Sequence, residues 1–139
     1  MLFSFPRLGK LKKSFENEGI IRTLRVPNLK KLGFEILTVS HFRHNPKIPM
    51  DKHEKGIKQV LAEFPQVFMI SGNLESLMIN VCRDFTEFQN LKNKTMAYYK
   101  KQELLLNDPE IIMFAVPNLI TICEHNYAPL VNKVLDIKI

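Results

Sequence analysis

Residues 67–84 read Val-Phe-Met-Ile-Ser-Gly-Asn-Leu-Glu-Ser-Leu-Met-Ile-Asn-Val-Cys-Arg-Asp, and this stretch decides the fold. Leu77, Ile79 and Val81 alternate with Met78, Asn80 and Cys82. That is the period of a strand whose two faces meet different environments. A second apolar run, from Val67, precedes it across a short Ser71-Gly72-Asn73 turn. Gly72 and Asn73 tolerate positive φ, as a tight hairpin requires. The stretch is therefore predicted to be a hairpin at the centre of the chain.

A helical pattern flanks the hairpin on each side. On the N-terminal side Asp51 and Glu54 have the spacing of a capping box, Ile57, Val60, Leu61 and Phe64 make one apolar stripe, and Pro65 stops the helix. On the C-terminal side Asp84 and Glu87 repeat the capping pattern, and Phe85, Phe88, Leu91, Thr95, Tyr98 and Tyr99 form the inner stripe of a helix that frays near Glu103. Beyond each helix lies another strand. Phe34–Phe42 is predicted to place Phe34, Ile36 and Thr38 on one face and Leu37 and Val39 on the other. Glu110–Val116 is apolar nearly throughout, so both of its faces are expected to be covered. The order β-α-β-β-α-β is the split βαβ of a ferredoxin-like α+β fold, an antiparallel sheet with two helices on one face. One layer of helices leaves the other sheet face bare, although both registers carry apolar residues such as Leu37, Val39, Met78 and Cys82. A bare apolar face of this kind marks an interface. The expected assembly is a two-fold dimer, sheet against sheet, forming a dimeric α+β barrel; the competing solution is a C-terminal tail folded across that face.

The ends of the chain read differently from this body. Leu8, Leu11 and Phe15 share a face of a predicted helix over 8–18, stopped by Gly19. Residues 20–26 read as extended, Pro27 ends them, and Asn28–Leu32 makes one helical turn before Gly33. Residues 1–31 hold eight lysines and arginines against two glutamates, which is the whole net charge of +6; the remaining 12 basic and 12 acidic residues cancel. A basic arm on a neutral body suits a polyanionic partner, and it equally serves solubility. The predicted organisation is a basic helix-wing remnant and linker at 1–32, a ferredoxin-like domain at 33–116, and a tail at 117–139. The tail is expected to hold a strand at Ile120–Glu124 and a short helix at Ala128–Leu135.

At 139 residues with 45% hydrophobic and 24% charged residues, the chain is expected to be a soluble domain with appendages. No apolar run approaches the roughly 20 residues of a membrane span. The start, Met-Leu-Phe-Ser-Phe-Pro-Arg, lacks the layout of a signal peptide. Cys82 and Cys123 lie far apart without metal-type spacing, so reduced thiols in a cytoplasmic protein are expected. His41 and His44 fall on opposite sides of a strand, and His53 and His125 lie elsewhere, so no metal is expected. No nucleophile-base phrase, paired-carboxylate phrase, P-loop or Gly-x-Gly-x-x-Gly appears, and no cofactor is expected.

The segment Leu11–Phe42 resembles the junction of the Lrp/AsnC family of prokaryotic transcriptional regulators. There a recognition helix ends in a Leu-Glu-x-x-Gly-Ile-Ile phrase, followed by a wing strand, a linker and a Lys-Leu-Gly phrase that enters the first strand of an effector domain. Phe15-Glu16-Asn17-Glu18-Gly19-Ile20-Ile21 stands for the first phrase and Lys31-Leu32-Gly33 for the last. Glu63-Phe64-Pro65-Gln66-Val67 is similar to the family's helix-end phrase, and Ser71-Gly72-Asn73-Leu74-Glu75 sits where the family carries a Gly-Asp-Tyr-Asp loop. The resemblance covers Leu11–Val116. It implies a regulator that senses an amino-acid-like effector and oligomerises with itself, with Ser71, Gly72, Asn73 and Glu75 at the effector. It also implies contact with DNA through Lys10, Lys12, Lys13, Arg22 and Arg25, and no enzymatic activity.

Three departures accompany it. Only ten residues precede Leu11, too few for the two helices a complete helix-turn-helix needs before its recognition helix. Asn73 and Glu75 replace the loop's aspartates, and Leu74 its aromatic residue. Residues after Val116 match no phrase of the family. Two alternatives stay open. Dimeric α+β barrels also host small oxygenases and tetrapyrrole-modifying enzymes, for which His41 and Arg43 would be the residues of interest around a cavity between sheet and helices. The chain would otherwise serve as a partner subunit that does not itself bind DNA.

Overall fold

A computed structural model describes residues 5–120 and 127–135. The elements are α1 (Phe5–Asn17), β1 (Ile36–Arg43), α2 (Met50–Glu63), β2 (Val67–Gly72), β3 (Glu75–Cys82), α3 (Phe85–Lys101), β4 (Glu110–Ala115), a 3-10 turn (Val116–Asn118) and α4 (Ala128–Leu135). Residues 28–119 form one compact unit; residues 1–27 and 120–139 group as another. The β-α-β-β-α-β order is as expected. The four strands are antiparallel neighbours in the order β2-β3-β1-β4.

Register explains which side chains the helices cover. Thr38 lies opposite Asn80, and Ser40 opposite Met78. Because successive strand residues alternate faces, Thr38, Ser40, Phe42, Ser76, Met78, Asn80 and Cys82 share the covered face, and all seven are buried. Val60 of α2 and Phe64 at its C-cap, Phe88, Leu91 and Tyr99 of α3, Val67 of β2, and Leu104 complete the core. Phe42 meets Tyr99 edge to face at 5.8 Å. Apolar side chains thus surround a polar centre. The Thr38 hydroxyl donates to Asn80 Oδ1 at 2.6 Å, with both residues fully buried. A narrow cavity of about 10 Å³ beside Ser40, Asn80 and Thr95 has room for about one water.

Several local expectations are corrected. Helix α2 begins at Met50 with Pro49 at its N-cap and no side-chain cap, so Asp51 and Glu54 do not form a capping box. Proline's fixed φ starts this helix instead, and Asp51 in the first turn still complements the helix dipole. The inner stripe of α2 includes His53 and Gly56, while Leu61 is exposed. In α3 the cap at Asp84 holds, its Oδ1 accepting from Glu87 N at 2.8 Å. The return arm differs: Glu87 Oε2 accepts from Arg83 N, one residue before the cap. Phe85, expected inside, is 56% exposed, since its first-turn position precedes the stretch that reaches the sheet.

Strand β4 is an edge strand, not a covered one. Ile112 and Phe114 are exposed because they lie opposite Val39 and Leu37 on the face that α2 and α3 do not cover, and Met113, on the helix side, is exposed at the edge. Leu37, Val39, Leu77, Ile79, Met69, Ile112 and Phe114 alternate with the core positions and form the sheet's second face. Residues 20–26, read as extended, join no strand ladder. The turn at 28–33 forms as expected, with Asn28 Oδ1 accepting from Lys31 N at 3.0 Å and Gly33 at φ +81°. Helix α4 spans the residues read from the sequence, whereas the expected strand at Ile120–Glu124 falls, beyond Ile120, outside the described residues.

The buried Thr38–Asn80 bond is expected to behave as a coupled pair. Asn80→Ala leaves the Thr38 hydroxyl unpaired beside a cavity and should cost about 2–4 kcal/mol in chemical denaturation. The double change Thr38→Val/Asn80→Leu should cost less than the sum of the single changes by about 1 kcal/mol or more. Strict additivity would refute the coupling.

Candidate functional site

The hairpin turn lies at one end of the uncovered sheet face. Gly72 pairs with Ser76, so the loop proper is Asn73-Leu74 rather than Ser71-Gly72-Asn73. Only Gly72 of the two turn residues has positive φ, at +151°. A Cβ there would sit 2.1 Å from the Glu75 carbonyl oxygen and 2.5 Å from Ser76 Cα. The backbone therefore approaches itself as only glycine permits. Asn73 closes the turn: its N–H donates to the Glu75 carbonyl at 3.0 Å, and its Oδ1 accepts from Glu75 N at 3.4 Å.

Pairing of β1 with β3 sets Arg43 opposite Glu75 and His41 opposite Leu77, and β4 sets Glu110 opposite His41. These alternate positions lie on the uncovered face. His41 Nε2 donates to Glu75 Oε2 at 3.2 Å, and His41 Nδ1 lies 3.8 Å from Glu110 Oε2. Arg43 Nε is 3.7 Å from Glu75 Oε1. Two carboxylates, a guanidinium and an imidazole thus share one end of an otherwise apolar face, with Ser71 beside them across β2. Exposure of Glu75 and Glu110 keeps these pairs weak in water. Such a cluster can meet a cation and a carboxylate together, because it exposes groups of both signs.

The sequence assigned Ser71, Gly72, Asn73 and Glu75 to this place, and the structure keeps them together at one turn. It adds His41, Arg43 and Glu110, which come from two other strands. His41 and Arg43 were of interest for an enzyme cavity between sheet and helices. They lie on the opposite face, and the cavity between sheet and α3 holds about one water. A larger open groove of about 690 Å³ lies at the C-terminal end of α3, between Asn45, Tyr99, Lys100 and Leu106, away from the turn.

On the covered side of the same strand end are His44 and His53, which sequence reading treated as unconnected. His44 continues the inward alternation of Ser40 and Phe42, and His53 precedes Val60 by seven residues on α2; those two spacings were the available signal. Burial and the neighbouring His53 lower the His44 pKa from its ordinary value. Cys82 is fully buried as expected, and burial, with Glu87 nearby, pushes its thiol up to about 11, well above the reactive range. Cys123 falls outside the described residues. His41 and His44 do face opposite ways. Among the described residues no group of three or more His, Cys, Asp or Glu is arranged to hold a metal ion, and no helix is long and apolar enough to cross a membrane.

Lys10, Lys12 and Lys13 stand on α1, and Arg22 and Arg25 on the extended segment after it. All five are exposed and belong to the unit containing residues 1–27. Leu11 and Phe15 occupy the half-buried face of α1. Gly19, at φ +72°, ends the helix, with Ile20 N donating to the Phe15 carbonyl at 2.8 Å. Lys12 lies 4.0 Å from Glu16, an exposed pair of little energetic weight.

Gly72→Ala should destabilise the protein by about 1–3 kcal/mol, through a positive φ and contact with backbone atoms that cannot rotate away. Thermal unfolding of the variant checks this. A change within about 0.5 kcal/mol would mean the turn relaxes freely.

No family model and no curated protein matches the sequence. Solved structures do match. An AsnC family transcriptional regulator from Agrobacterium tumefaciens superposes with a TM-score of 0.62 at 19% identity, over 93% of this chain and 79% of that one. A transcriptional regulator from Neisseria meningitidis, solved as a complex with L-methionine, gives 0.66 at 17% identity over 96% and 80% of the two chains. AsnC from Escherichia coli gives 0.56 at 15% identity over 86% and 78%. This chain therefore has the fold of the Lrp/AsnC-type transcriptional regulators.

Proposed function

We propose that this chain is an Lrp/AsnC-type regulator subunit that dimerises through its uncovered sheet face and senses an amino-acid-like effector at the 71–75 turn. The observation that carries this reading is the uncovered face itself. Leu77, Met69, Ile112 and Phe114 are exposed there, Leu37, Val39 and Ile79 are half-buried, and the charged cluster lies at one end. An apolar centre with a polar margin is the layout of a protein interface. A second copy related by a two-fold axis presents the same surface to itself. The neighbouring fold solved with L-methionine supports an amino acid as the class of ligand. At the turn, Glu75 and Glu110 suit an ammonium group and Arg43 suits a carboxylate, so a zwitterion would find both partners.

The test is light scattering on a sizing column, with and without a panel of amino acids. The expected result is a dimer or larger species whose size or stability shifts with one amino acid. Val39→Lys or Ile79→Lys, at the centre of the apolar face, should give a folded monomer. Glu75→Gln should weaken the ligand response while leaving the dimer intact. A wild-type monomer indifferent to every amino acid would overturn the reading.

The cations Lys10, Lys12, Lys13, Arg22 and Arg25 supply the contact with DNA in this reading. Phosphate contacts of this kind give salt-sensitive binding with little sequence preference. If all five engage, log K should fall with log salt at a slope of about −4 to −5. Replacing Lys12, Lys13 and Arg22 with alanine should reduce that slope by about 2–3. Fluorescence anisotropy with a short duplex at several salt concentrations measures both.

A further inference from the structure

His44 and His53 meet at a buried junction between the end of β1 and the first turn of α2. Their rings lie 4.8 Å apart, centre to centre, tilted by 60°, and the residues are 4% and 2% exposed. His44 Nε2 is 2.7 Å from Ser76 Oγ, and His53 Nε2 donates to the Asn45 carbonyl at 3.0 Å. A carbonyl only accepts, so His53 carries its proton on Nε2, leaving Nδ1 as a buried lone pair. Among the described residues, neither His53 Nδ1 nor His44 Nδ1 has a hydrogen-bond partner.

The dipeptide His44-Asn45 joins four parts of the chain. His44 N donates to the Leu74 carbonyl at 2.8 Å, which holds the hairpin turn. Asn45 N donates to the Leu104 carbonyl at 2.8 Å, and Asn45 Nδ2 to the Glu103 carbonyl at 3.1 Å, which hold the segment after α3. The Asn45 carbonyl receives His53 of α2, and Asn45 Oδ1 receives Lys47 N at 3.0 Å. Glu103, a non-glycine residue with φ +54°, is held in a left-handed conformation at the same junction.

We propose that this histidine pair is a proton-operated latch: neutral imidazoles hold the 72–76 turn, the first turn of α2 and residues 103–105 together, and protonation in the acidic range releases them. The charges around the junction do not compensate an added proton. Arg43 on β1 and Glu75 on β3 face the other side of the sheet, where they pair with each other. Asp51, Lys52 and Glu54 of α2, Lys47 of the preceding loop, and Lys100 and Glu103 at the end of α3 are all exposed. The titratable group that acts on His44 is His53, and like charge on the two rings repels. A proton added here is therefore buried beside a second imidazole, without a counter-ion. The sign follows from linkage. His44 binds its proton more weakly folded than unfolded, so its contribution is intact above the ordinary pKa of 6.5. It is lost as pH falls below that value through the lowered folded one.

The test uses the full chain at pH 7.5 and pH 5.5, a window above the carboxylate range. Glutamine places an N–H near the position of histidine Nε2 and does not titrate in this window, so His44→Gln/His53→Gln keeps both hydrogen bonds. His41→Gln controls for the half-buried histidine of the other sheet face. The wild type and the His41 control should lose melting temperature between pH 7.5 and pH 5.5, and the double variant should lose less than half as much. Amide exchange, corrected for its intrinsic pH dependence, should accelerate at His44, Asn45 and the 72–76 turn in the wild type while the β1–β4 rungs stay protected. If the double variant fails to fold, imidazole NMR of the wild type decides: the His44 ring should remain neutral until below pH 6.5, and the neutral His53 ring should carry its proton on Nε2. An equal loss of melting temperature in wild type and double variant would overturn the latch. So would titration of the His44 ring at or above 6.5, or uniform acceleration of exchange across the sheet.

Discussion

The register between β1 and β3, fixed by the buried hydrogen bond from Thr38 to Asn80, is the constraint on which the rest of the structure depends. Both groups are fully buried, and each would be costly without the other. Sliding β1 by one residue along β3 would bring Leu37 or Val39 to Asn80 and turn the Thr38 hydroxyl toward solvent. The polar pair therefore selects a single parity for the sheet. Given that parity, Ser40, Phe42 and His44 follow Thr38 inward, while Leu37, Val39, His41 and Arg43 go outward. One hydrogen bond thus determines which side receives the apolar face and which receives the histidine junction.

The order of elements was legible because it rests on patterns carried by neighbouring residues. Alternation at 77–82, the Asp84 cap and the apolar spacing of α4 are local, and each appears where the sequence places it. Errors arose where a neighbour in space decides the outcome. Glu110–Val116 reads as a strand covered on both faces, yet α2 and α3 cover only one side of the sheet, which leaves Ile112 and Phe114 exposed within the single chain. Leu61 and Phe85 fit an apolar stripe, but the angle at which each helix meets the sheet turns them out and turns His53 and Gly56 in. At Asp51, capping spacing lost to proline, whose fixed backbone starts the helix two residues earlier without a side-chain bond.

The candidate site divides along the same line. Ser71, Gly72, Asn73 and Glu75 fall within five consecutive residues, so a single phrase of sequence proposes them together. Glu75's partners come from β1 and β4, and pairing them requires a register that no local pattern supplies. His44 and His53 are nine residues apart and meet because a proline-started helix turns back against the strand just left. Their alternation and helical spacing were visible, but a histidine on an apolar face more often satisfies its hydrogen bonds alone.

Charge and burial together suggest how such a protein would transmit a signal. The body from residue 32 onward carries no net charge, whereas the first 31 residues carry all of it. A zwitterionic effector at the turn would leave that balance unchanged, so it could not act on DNA by altering long-range attraction. Its available route is geometric, through the number and spacing of basic arms that an assembly presents. Each added arm raises affinity by effective concentration, without any new contact in the arm itself. In the proposed reading the sheet face pairs the arms, and the turn and its charged cluster lie at the margin of that face. In the proposed reading, a ligand that stiffens or reshapes the turn alters assembly first, and DNA binding follows from the count of arms.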